Sequence, residues 1–147
     1  MKSIYLAGPL FTLAEKEFNV RFAREIENRI QGFHVILPQE RALNFLHLEN
    51  GLKLIFEDCL KMVAESDIVI AILDGPDADS GTSVELGYAY AMKTPIVGVR
   101  TDFRISEEQG LNLMLSNICS TLILDVSSDM SGLVNAVIKA IVKHIGS

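Results

Sequence analysis

Cysteine is scarce in this chain. Cys59 and Cys119 are the only two, far apart and in apolar surroundings, which excludes a secreted disulfide framework and any zinc spacing. A reducing compartment is the natural expectation. Positive charge is also short: 13 Lys and Arg stand against 19 Asp and Glu, with no basic stripe. That excludes the electrostatic footprint of a protein that binds long nucleic acid, so any nucleotide partner is expected to be a small molecule. No apolar run approaches a signal segment or a membrane span, and Met1-Lys2-Ser3 leads directly into a strand-like stretch. The protein is therefore expected to be soluble and cytoplasmic, with no membrane partner. His34, His47 and His144 are scattered, none beside a carboxylate or cysteine at ligand spacing, so neither a metal site nor a Ser-His-Asp triad is expected. The opening loop Ala7-Gly8-Pro9-Leu10-Phe11-Thr12 lacks the second and third glycines of a dinucleotide fingerprint and the Gly-Lys-Ser/Thr of a phosphate loop.

Apolar residues are abundant. They make up 49% of 147 residues, enough for one domain spanning 1–147 with a core that needs no staple. Runs rich in β-branched residues at Ser3–Ala7, Phe33–Leu37, Ile68–Leu73, Ile96–Val99 and Thr121–Leu124 read as five short strands buried on both faces. Helical spacing fills the intervals at Leu13–Ile30, Leu52–Glu65 and Val84–Met92, and follows the last strand at Leu133–Ile145. Alternating strands and helices predict an α/β domain, a doubly wound five-stranded parallel sheet flanked by helices, flavodoxin-like or Rossmann-like. Ligands of such sheets bind at the carboxyl ends of the strands, so the segments after each strand are the places to search.

The richest is Asp74 to Glu85, where carboxylates and small hydroxyl residues follow a buried strand and enter a helix. Glu85 is expected in the first turns of that helix, where the macrodipole favours an ionised carboxylate by roughly 0.3 to 1 kcal/mol. That suits a nucleophile, and it equally suits a capping residue. Gly8-Pro9 can make a tight turn that admits a small ligand, and Leu10 and Phe11 offer an apolar wall for a flat base; Phe11 serves equally as a hydrophobic staple for the next helix. On the second helix Leu52, Ile55, Phe56, Cys59 and Val63 form a stripe expected to be buried, with Asp58 at its edge beside Lys61 as a solvated surface carboxylate. Residues 100–104 read either as a flap over the pocket or as a solvated loop with internal charge pairs.

Four pieces in this order resemble the nucleoside 2-deoxyribosyltransferase family and its relatives, the 2'-deoxynucleoside 5'-monophosphate N-glycosidases. They are Ile4-Tyr5-Leu6-Ala7-Gly8-Pro9-Leu10-Phe11, Glu57-Asp58, Asp79-Ser80-Gly81-Thr82-Ser83-Val84-Glu85-Leu86-Gly87-Tyr88-Ala89, and Leu111-Asn112-Leu113-Met114. The resemblance implies that Glu85 attacks the anomeric carbon to give a covalent deoxyribosyl-enzyme intermediate. Tyr5 then holds that glutamate, and Asp58 contacts the departing base and helps supply its proton. The loop Gly8 to Phe11 and the segment Asp79-Ser80-Gly81 are implied to line the substrate, with Asp79 and Asn112 on the sugar hydroxyls. Asn112 and Met114 are implied to reach in from a neighbouring subunit. A homo-oligomer built from dimers with shared sites, such as a hexamer, follows. A carboxylate that stabilises and traps an oxocarbenium-like sugar needs no metal or organic cofactor.

Two branches differ at the sugar's 5' end. The hydrolases that this chain resembles surround a 5'-phosphate with serines where this chain has Asp79 and Asn112. An Asp repels a phosphate, whereas Asp and Asn both suit a free hydroxyl, so the expected substrates are a deoxynucleoside and a free nucleobase. Ser80, Thr82 and Ser83 at a helix start keep the monophosphate hydrolase as the alternative. A noncatalytic nucleotide-binding module is the further alternative. Leu10 replaces the large aromatic that stacks on the base in some transferases, which leaves the base preference open.

Overall fold

Parallel strands covered on both faces need apolar side chains at consecutive positions rather than alternate ones. The computed structural model, which describes residues 1–104, 110–126 and 129–146, has five strands of this kind. They are β1 (Lys2–Ala7), β2 (Phe33–Ile36), β3 (Ile68–Ile72), β4 (Ile96–Arg100) and β5 (Thr121–Leu124). All pair in parallel in the order β2-β1-β3-β4-β5, and every residue of β3 and β4 is buried. Six α-helices complete the described chain: α1 (Leu13–Arg29), α2 (Pro38–Arg41), α3 (Gly51–Glu65), α4 (Ser80–Ala91), α5 (Leu113–Ile118) and α6 (Met130–Ile145). A 3-10 turn at Ala42–Asn44 follows α2. This is the doubly wound arrangement expected from the alternation, with the strand order of the flavodoxin-like class.

Because alternate side chains of a strand face opposite ways, the sheet divides two cores. Ile4, Leu6, Ile70 and Ile72 pack with Phe22 and Ile26 of α1 and Val137 and Ile141 of α6. Tyr5, Ala7, Val69, Ala71 and Leu73 pack on the other side with Val63 of α3, Leu86 and Ala89 of α4 and Leu115 of α5. The chain leaves β1 towards β2 and leaves β3 towards β4, so the loops after these two adjacent strands part and open a crevice between them.

Of the long helices, α1, α4 and α6 begin where a side chain satisfies a free N–H group. Thr12 caps α1 through a capping box: its Oγ1 accepts from Glu15 N at 3.2 Å while Glu15 Oε2 accepts from Thr12 N at 2.7 Å. Phe11 does not staple this helix, being 70% exposed. Asp129 caps α6, accepting from Gly132 N at 2.8 Å. Among the described residues, no helix is long and apolar enough to cross a membrane.

Several boundaries differ from the sequence expectation. The helix expected from Val84 begins at Ser80, because the Asp79 carboxylate accepts from Thr82 N at 2.8 Å and opens it four residues early. The helices α2 and α5, of four and six residues, had no periodic signal to betray them. The expected stripe of α3 is only partly buried. Val63 is fully covered, Ile55 and Cys59 are half-buried, and Leu52 and Phe56 face outward. They sit in the first turns of α3, where only Gly51 is buried; its buried side chains come later, at Met62 and Val63.

Gly98 in β4 has no room for a side chain. A Cβ there would lie 2.7 Å from Cys119 Sγ, 2.9 Å from Leu122 Cδ1 and 3.0 Å from Leu73 Cδ1. Gly98→Val is expected to lower stability by about 1 to 3 kcal/mol through overpacking. A shift of the urea midpoint checks this, and an unchanged midpoint would show that Cys119 and the leucines move aside freely.

Candidate active site

Tyr5, at the middle of β1, points into the α3–α4 side of the sheet and is completely buried. A buried phenol needs a partner for its O–H. It donates to Glu85 Oε1 at 2.6 Å, across 80 residues of chain. Glu85 therefore hangs from α4 over the carboxyl half of β1. It is the sixth residue of α4 rather than part of its first turn, so the helix dipole, which fades within one turn, contributes little to it. The capping carboxylate is Asp79. Burial is the largest influence on Glu85 and pushes its pKa up to about 7; the nearby Asp79 charge adds to the rise and the Tyr5 hydrogen bond opposes it. Burial likewise raises the Tyr5 phenol, with the Glu85 charge adding to the effect.

Asp58 is held in a way the sequence did not suggest. It accepts from Arg41 Nε at 2.6 Å on Oδ2 and from Arg41 Nη2 at 2.5 Å on Oδ1, a bidentate pair. The hydrogen bonds from Arg41 hold the Asp58 pKa below its ordinary value. Cys59 follows on α3, where its thiol meets the Tyr5 hydroxyl. Burial raises its pKa, and Glu85, Asp58 and Arg41 all act on it electrostatically. Arg41, Asp58, Cys59, Tyr5 and Glu85 thus form one connected cluster at the carboxyl ends of β1 and β2. Sequence reasoning missed Arg41. It lies in the segment after β2, where a search was due, but no spacing links it to an acid 17 residues away.

The first loop is anchored to the same edge. A Cβ on Gly8 would lie 3.0 Å from Ile72 Cβ of β3, so only glycine lets the loop pass this close. The buried Asn19 donates to Pro9 O at 3.0 Å and to Gln39 Oε1 at 3.0 Å, tying the loop to α2. Leu10 is half-buried and Phe11 exposed, which leaves its ring open to a flat ligand.

At the start of α4, Asp79 is half-buried, and both of its bonds to Thr82, from N at 2.8 Å and Oγ1 at 3.1 Å, fall on Oδ2. Ser80 and Gly81 are exposed beside it. Asn112 caps α5, its Oδ1 accepting from Met114 N at 2.9 Å, and Met114 is 70% exposed. These two residues line a hollow of about 530 Å³ along α4 with Ser80, Ser83, Gly87 and Tyr90. Tyr5 and Glu85 are not among the residues of that hollow.

Residues 100–104 carry the internal charge pair, Asp102 with Arg104, that one of the two sequence readings expected. They are tied to the end of β3 by bonds from Thr101 N and Oγ1 to Asp74, at 2.6 and 2.5 Å. The buried Arg100 guanidinium donates to the carbonyls of Leu73 at 2.7 Å, Gly75 at 3.1 Å and Arg104 at 3.0 Å. With Pro9, Phe18 and Ile72 the loop lines a second cleft of about 540 Å³ on the α1 side of the sheet, opposite Glu85. Among the described residues no three His, Cys, Asp or Glu side chains converge as a metal site. His34 pairs with Glu27 and His144 with Thr121.

A family model described as nucleoside 2-deoxyribosyltransferase matches residues 4–114, from β1 into α5. Among solved structures, a conserved protein from Enterococcus faecalis V583 is 27% identical, with a TM-score of 0.80 over 95% of this chain and 99% of that one. A 2-deoxyribosyltransferase from Bacillus psychrosaccharolyticus is 24% identical, with a TM-score of 0.66 over 89% of this chain and 95% of its own. A 2-desoxiribosyltransferase from Leishmania mexicana is 21% identical, with a TM-score of 0.69 over 99% of both chains. The last two share the fold.

Proposed function

Because the chain belongs to the nucleoside 2-deoxyribosyltransferase family, we propose that it exchanges the base of 2'-deoxyribonucleosides through a covalent deoxyribosyl–Glu85 intermediate. The observation that carries this reading is the half-buried Glu85 carboxylate held by the Tyr5 hydroxyl at 2.6 Å. A carboxylate removed from water, with one oxygen fixed, is suited to stabilise the positive charge that grows on the sugar as the base departs, and then to bond to C1'. The incoming base attacks the same carbon and frees the carboxylate. Glu85 must be ionised to attack, so the active form gains population as pH rises through about 7.

Asp79 Oδ1 takes neither Thr82 bond and is available to a sugar hydroxyl, while the charge of Asp79 disfavours a 5'-phosphate. Phe11 and Leu10 supply an apolar face for the base. The exposure of Asn112 and Met114 at the start of α5 supports a reading in which they complete the site of a second copy, in an assembly of dimers.

Incubation with 2'-deoxyinosine and free adenine tests the reading. New deoxyadenosine is the expected product. Free hypoxanthine alone would mean that water, not a base, resolves the intermediate. Turnover only of the corresponding monophosphates would replace the transferase with the nucleotide hydrolase, and binding without any turnover would leave a noncatalytic module.

A further inference from the structure

We propose that Arg41 is the group that activates the leaving base, its guanidinium neutralising the negative charge that develops on the departing nucleobase, and that Asp58 is a positioning residue that holds it there. This rests on base exchange at Glu85.

The geometry separates the two members of the pair. Arg41 commits Nε and Nη2 to Asp58, and neither bond uses Nη1. A guanidinium has five N–H donors, so three point elsewhere. The Arg41 side chain is 39% exposed and that of Asp58 only 13%, so the cation is the half that meets an approaching ligand. Both Asp58 oxygens are occupied by Arg41. An ionised carboxylate in such a pair has no proton to give, and protonating either oxygen would break the bond it accepts and the bidentate pair with it. The lowered pKa of Asp58 agrees with this. The pair also lies beside the reacting centre, since Cys59, next to Asp58 on α3, contacts Tyr5 and is acted on by both Glu85 and Arg41.

The step balances without an acid. A Glu85 oxygen bonds to C1' as the C1'–N bond breaks, and that bond's electron pair stays on the ring nitrogen. The base leaves as an anion hydrogen-bonded to Arg41 and takes its proton from water on release. In the return step the acceptor base gives its N–H proton to water, its nitrogen bonds to C1', and the Glu85 carboxylate is regenerated.

The test compares Arg41→Ala, Arg41→Lys and Asp58→Asn on two substrates. One is 2'-deoxyinosine, whose base must leave with developing negative charge. The other is 7-methyl-2'-deoxyguanosine, whose base is already cationic and leaves neutral. Arg41→Ala is expected to lower kcat on 2'-deoxyinosine by about 100-fold, to slow the methylated substrate far less, and to recover activity on 2'-deoxyinosine when guanidinium ion is added. Arg41→Lys should retain part of the rate. Three outcomes overturn the assignment. The first is an Arg41→Ala enzyme that keeps or gains activity at acidic pH while Asp58→Asn is inactive, which makes Asp58 the acid. The second is an equal loss on both substrates without rescue, which makes Arg41 structural. The third is a wild-type protein that turns over neither substrate, which removes the proposed base exchange itself.

Discussion

Glu85→Gln is expected to abolish base exchange, lowering kcat by about 10⁴-fold or more, while the protein still binds deoxynucleoside and becomes more stable in alkaline solution. The amide keeps the shape and can still accept from the Tyr5 hydroxyl, but it cannot trap the sugar as a carboxylate does. The stability change follows from the Glu85 pKa, which burial raises from 4.5 to about 7. A carboxyl with a raised folded pKa holds its proton more tightly in the folded state. Its ionisation therefore costs nothing below pH about 4.5, costs progressively more up to about 7, and above that destabilises by on the order of 3 kcal/mol. The variant has no proton to lose in this window. Urea unfolding at pH 5 and pH 8.5 should show wild type losing stability relative to Glu85→Gln at the higher pH. Acid-quenched mass spectrometry should show a deoxyribosyl adduct on wild type alone. Parallel pH profiles of stability would mean that Glu85 is hydrated and ordinary, and an adduct on the variant would place the nucleophile elsewhere.

Tyr5→Phe is expected to leave the fold intact and slow the reaction about ten- to a hundredfold at neutral pH, the range set by losing a hydrogen bond worth roughly 1.5 to 3 kcal/mol to a charged group. The loss should depend on pH. In wild type, kcat/KM should rise as Glu85 ionises through about 7. The Tyr5 bond is what draws that pKa down against burial and Asp79, so its removal moves the rise to higher pH. The gap between the two enzymes should then narrow in alkali. An unshifted profile would show that Tyr5 does not govern the ionisation of Glu85, whatever it does to the rate.

The sheet was legible because its strands are buried on both faces, and the apolar run Ile68 to Ile72 is closed off by the turn residues Asp74-Gly75-Pro76. The position of Glu85 over β1 was not legible in spacing. Ser80, Gly81, Thr82 and Ser83 are weak helix formers, so the apolar period begins at Val84 and the cap by Asp79 is silent in it. The resemblance linked Tyr5 to Glu85, and the structure holds the two together at 2.6 Å. Asp58 shows the opposite case. Beside Lys61 it reads as a solvated charge, yet its partner is Arg41, on a four-residue helix with no period to detect. The exposure of Leu52 and Phe56 was equally hidden, since a helical stripe records which residues share a face and not how far along the helix the covering sheet extends.

The cap at the head of α4 bears on how this chain's substrate range can change. Asp79 starts the helix that carries Glu85, and on the proposed reading it also meets the sugar. Most replacements would therefore fray the catalytic helix together with the pocket. Serine is an exception, because it caps a helix about as well as aspartate and brings no negative charge towards a phosphate. On that reading, Asp79→Ser would be a step from nucleosides towards nucleotides that keeps the scaffold intact, and helix capping would narrow the mutational paths open between the two chemistries.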